Sequence, residues 1–72
     1  MTMTHETGMR DEHYDVVSVL YHALQGAETC RQYITDAEQS GNQEMVEFFR
    51  EVQDQNRRLA EKAKQLLTQE VA

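Results

Sequence analysis

Seventy-two residues allow one small domain, and a chain of this size buries only about 60% of the surface its unfolded form exposes. Its single cysteine excludes an intrachain disulfide and a cysteine-rich zinc site. With both of those staples excluded, oligomerisation is the support left for so small a core, and 13 acids against 7 bases, a formal charge of −6, argue against indiscriminate binding to a phosphate backbone.

Residues 1–10 carry no hydrophobic periodicity and are expected to form a mobile tail. They lack the apolar stretch of a secretory signal, and no run of 18 apolar residues predicts a membrane span. A lone thiol without an export signal points to the cytosol.

The pattern changes at Asp11. Asp11, Glu12 and Asp15 are acids suited to a helix N-terminus. An apolar 3-4 repeat then runs through His13, Val16, Leu20, Ala23, Ala27, Cys30, Ile34 and Ala37. It stops at Ser40-Gly41-Asn42, which supplies a C-terminal glycine followed by a good N-cap. A second repeat is read as Met45, Phe49, Val52, Asn56, Leu59, Ala63 and Leu66. The fold class is therefore all-α: helices over about 11–39 and 43–69 joined by a turn at 40–42. Three connecting residues force antiparallel neighbours. Small residues of the first helix should face larger ones of the second, with Ala23 opposite Leu59 and Cys30 opposite Val52. Gly26 stands alone within the first helix and suits close packing or a slight kink.

Apolar residues also flank both seams: Val17, Val19, Leu24 and Tyr33 on the first helix, Val46, Phe48, Ala60 and Leu67 on the second. Two helices bury a narrow stripe but not an extra flank on each. A homodimer that stacks two hairpins into a four-helix bundle would cover it. The interface expected on this basis uses Val17, Leu24, Phe48, Asn56 and Leu67, and an unidentified protein partner is the other occupant considered. Asn56 within the repeat reads as a residue that fixes register and partner number.

Catalytic constellations are missing from the sequence. His5, His13 and His22 do not share a face at metal-ligand spacing. Cys30 lies two helical turns from His22, too far for a nucleophile–base pair. Glu44, Glu47 and Glu51 share a face, with Asp36 and Glu38 across the turn, but solvated charge is the better reading. Glu47 is expected to pair with Arg50, and Arg31 to lie opposite Glu51. Arg57, Arg58, Lys62 and Lys64 cluster in the second helix and carry a weaker reading as a nucleic-acid or anionic-partner patch. Glu61 interrupts them, so a solvated helix face is favoured and no nucleic acid is expected as partner.

The run from Leu24 to Ala63 resembles half of a ferritin-like, rubrerythrin-type bundle. The resemblance rests on Gly26, Tyr33, Ala37, the turn at Gly41, Phe49 and Ala60. It implies a four-helix bundle assembled from two hairpins around a central iron site. Where the family has Glu-x-x-His-Ala, this chain reads Asn56-Arg57-Arg58-Leu59-Ala60. Where the family's first-helix glutamate follows the glycine, it has Ala27, with Glu28 one position late. The resemblance therefore implies a bundle whose iron ligands are gone. Two functional readings result. The first is a non-enzymatic, homodimeric structural or protein-interaction module without a cofactor. The alternative is a ferritin-like metal-binding or redox protein with His22, Glu28, Glu51 and Asp54 contributed across subunits.

Overall fold

The computed structural model describes residues 11–71, and the tail expected over 1–10 lies outside them. Two α-helices, α1 (Asp11–Gln39) and α2 (Gln43–Val71), pack against each other as a hairpin. Both carry several Gln and Glu, which lose little rotamer freedom in a helix. Asp11 and Glu12 open α1 and Glu44 opens α2, each a negative charge near the positive end of a helix dipole.

The reversal is achieved by backbone hydrogen bonds and one side chain. Gly41 has φ of 74°, a left-handed conformation that a Cβ disfavours. Its N–H donates to the Glu38 carbonyl at 3.1 Å, and the Asn42 N–H donates to the Ala37 carbonyl at 3.0 Å. This pair of bonds satisfies carbonyls that the end of α1 would leave bare, the Schellman pattern. Asn42 then caps α2, its Oδ1 accepting from the Met45 N–H at 3.1 Å. One residue thus closes the first helix and opens the second.

The seam between the helices is made of small side chains. Ala23, Ala27, Cys30 and Ala37 of α1 are buried, with Val46, Ala60 and Ala63 of α2. Gly26 permits the close approach: a Cβ there would stand 2.8 Å from Nδ2 of Asn56. On α1 the buried positions follow the expected repeat. On α2 the repeat runs through Val46, Phe49, Gln53, Asn56, Ala60, Ala63 and Leu67. Met45 and Leu59, expected inside, are 51% and 53% exposed, and Leu66 is exposed with them. Ala60, not Leu59, therefore packs towards the middle of α1.

The physical reason is space. Ala23, Gly26, Ala27 and Cys30 bring the axes together, and leucine at that approach would overpack the seam. Gln53 fits instead. It is only 7% exposed, and its Nε2 donates to the Ala27 carbonyl at 3.0 Å. That carbonyl has a second lone pair beyond the one its helical N–H uses, so the buried amide is satisfied without cost to α1.

Two helices side by side make a slab of 49 × 22 × 16 Å. Domains ordinarily bury their apolar faces between two layers, and this hairpin supplies one layer.

Candidate interaction surface

Because the helices run antiparallel, the residues flanking the seam sort onto two broad faces. Positions that share a heptad place on α1 and α2 meet on the same side. On one side Val19 and Tyr33 of α1 stand with Met45, Val52, Leu59 and Leu66 of α2. The α2 residues recur every seven positions and form an apolar row along the helix. Phe48 lies beside it and is 58% exposed. All of these except the half-buried Val52 are exposed.

Two features give this apolar face relief. Near the turn, Phe49 joins Tyr33 and Phe48, with ring centroids 5.5 Å apart in each pair. Such tilted contacts hold aromatic rings in a defined cluster. Towards the other end, Val16, Val19, Leu59, Ala63 and Leu66 line an open cleft of about 310 Å³, with Asp15 and Lys62 at its rim.

The opposite face carries ion pairs alongside exposed Tyr14, Tyr21 and Leu24. Glu38 of α1 and Arg50 of α2 hold the same heptad place and form an ion pair of 3.2 Å across the seam. Arg31 pairs with Glu28 at 3.3 Å, one turn away on α1. The pairings expected from sequence, Glu47 with Arg50 and Arg31 with Glu51, are thus replaced. The rotation of α2 that puts Gln53 inside carries Arg50 to the seam's edge, where Glu38 is the nearer acid. Leu24, Glu28, Arg31 and Arg57 border a mixed cleft on this side.

The residues expected at an interface fall in three places. Phe48 is on the apolar face, while Leu24 is exposed on the opposite one, with half-buried Val17 at the same heptad place one repeat earlier. Asn56 and Leu67 are half-buried positions of the seam itself, and Asn56 lies against Gly26. Sequence reasoning missed Met45, Leu59 and Leu66 as surface residues and Gln53 as a core one. The seven-residue spacing of 45, 52, 59 and 66 was the available signal, but 46, 53, 60 and 67 share it.

The groups named for a metal site are also spread out. His22 has Nδ1 3.0 Å from the Ser18 carbonyl oxygen of its own helix, with its ring edge-on to Tyr21. Glu28 is paired with Arg31, and Glu51 and Asp54 are exposed. Among the described residues no group of three or more His, Cys, Asp and Glu side chains is placed to hold a metal ion. The bases of α2 do not form one patch, since Lys62 rims the apolar cleft and Arg57 the mixed one. No helix among the described residues is long and apolar enough to cross a membrane.

No family model, curated protein or solved structure matches the chain.

Proposed function

We propose that this protein is a non-enzymatic, self-associating helical hairpin whose working unit is a homodimeric four-helix bundle, a structural or protein-interaction module. One observation carries the reading: among the described residues, Val19, Tyr33, Met45, Phe48, Leu59 and Leu66, six of the nine large apolar side chains left exposed, stand on one face of a slab a single layer thick. A soluble monomer rarely leaves such a patch wet. A second copy brings a stripe of the same spacing and length, which makes the face self-complementary as a twofold interface requires. The seam supports the same reading from the other side. Its alanines each bury few methylene equivalents, at about 0.8 kcal/mol apiece, so the isolated hairpin has little to set against chain entropy. The free thiol of Cys30 suits a reducing compartment such as the cytosol.

Sedimentation equilibrium tests this. The expected mass is twice that of the 8.4 kDa chain, at micromolar concentration. A folded, monodisperse species of the single-chain mass overturns the proposal.

A further inference from the structure

The relief of the apolar face specifies how two copies stack. The aromatic cluster and the open cleft lie on the same face, on either side of Gly26. Along α1, Val19 at the cleft stands seven residues before Gly26, and Tyr33 in the cluster stands seven after it. Along α2, the stripe is centred between Val52 and Leu59, at the level of Asn56. Asn56 is the residue packed on Gly26, so both helices share one midpoint.

Resting on the dimer proposed above, we infer that the second copy docks with its turn at the opposite end, on a twofold axis that crosses the hairpin at Gly26. This operation lays the Tyr33–Phe48 cluster of each copy over the cleft of the other, twice. It also sets Met45 against Leu66 of the second copy and Val52 against its Leu59. The sizes fit: about 150 Å³ of apolar cavity is enough to hold a benzene ring, and the cleft offers about 310 Å³. Lys62 at the rim lies where an incoming ring meets an ammonium, a favourable contact. The alternative stack, with both turns at one end, sets cluster against cluster and leaves cleft facing cleft. The preferred stack does bring Asp15 towards Asp36 of the second copy, but on the wet outer edge, where salt screens them.

The arrangement is read by placing a spin label at Gln43→Cys in the full chain, with Cys30→Ala to leave one thiol, and Cys30→Val as a second background should the first lose helicity. Gln43 lies about 13 residues' rise from the level of Gly26, so opposite-end docking separates the two labels by about 40 Å at 1.5 Å per residue. Same-end docking brings them to about 15 Å, the spacing of neighbouring helices plus linkers. A distance centred below about 30 Å overturns the inference while leaving the dimer intact. A monomer defeats both. A mixing experiment supplies an independent readout. Val19→Asp and Tyr33→Lys are each expected to weaken self-association about tenfold or more. Mixed together they are expected to pair more tightly than either alone, because residue 19 of one copy meets residue 33 of the other. Absence of preferential pairing on mixing overturns the inference.

Discussion

The seam and the apolar face are both hydrophobic, yet they divide the side chains by size in the opposite sense to a self-sufficient domain. The buried residues are alanines and a cysteine with Val46 and Gln53, while Tyr33, Met45, Phe48, Leu59 and Leu66 stand exposed. Small residues in the seam set how closely α1 and α2 approach, and they hold the hairpin's shape more than its stability. Large residues on the face carry most of the apolar area that remains to be buried. In this division the seam specifies geometry, and the face would supply the driving force for the proposed dimer.

Substitutions separate the two roles. The largest effect is expected from Leu59→Asp on the apolar face. Burying half a leucine is worth about 1 kcal/mol per copy and occurs twice per dimer. The dimer dissociation constant should rise about 30-fold or more, with sedimentation as the measurement. A Leu59→Asp chain that still sediments as a tight dimer would assign the face no part in association.

Next comes Gln53→Ala in the seam, which removes a buried hydrogen bond and leaves a void. A loss of about 1–2 kcal/mol is expected in urea unfolding. Gln53→Leu keeps the volume, and the Ala27 carbonyl keeps its helical donor, so its cost should be smaller. Equal costs for the two would mean that the amide, not the packing, is what the seam requires.

Gly41→Ala tests the turn alone. A Cβ at φ of 74° should cost about 1 kcal/mol, seen as a lower thermal midpoint at unchanged dimer mass. The smallest effect is expected on the face that carries the ion pairs. Arg50→Ala breaks a half-exposed ion pair with Glu38, worth at most about 0.5 kcal/mol. A change in oligomer mass for Arg50→Ala would move the interface to that face.

The sequence made much of the hairpin legible. Gly41 and Asn42 mark the reversal because only special backbone and capping chemistry suits those positions. The α1 seam is readable because Ala23, Ala27, Cys30 and Ala37 alternate with polar neighbours. What could not be read was the rotation of α2. Two adjacent rows, 45-52-59-66 and 46-53-60-67, both repeat by seven, and the first is the more apolar. Apolarity alone selects it for the core. Steric fit selects the second, because Ala60 and Gln53 suit an approach that Gly26 has made close. A rotation of about 100° per residue then decides which side chains face solvent, and with it that Leu24 and Phe48 stand on opposite faces.

Cys30, 3% exposed at the middle of the seam and unpaired, makes the hairpin its own clock. A thiol reagent reaches that sulfur only when α1 and α2 part, so the modification rate follows the population of the opened form. If the second layer holds the hairpin shut, that rate slows as protein concentration rises, reporting assembly without any added probe.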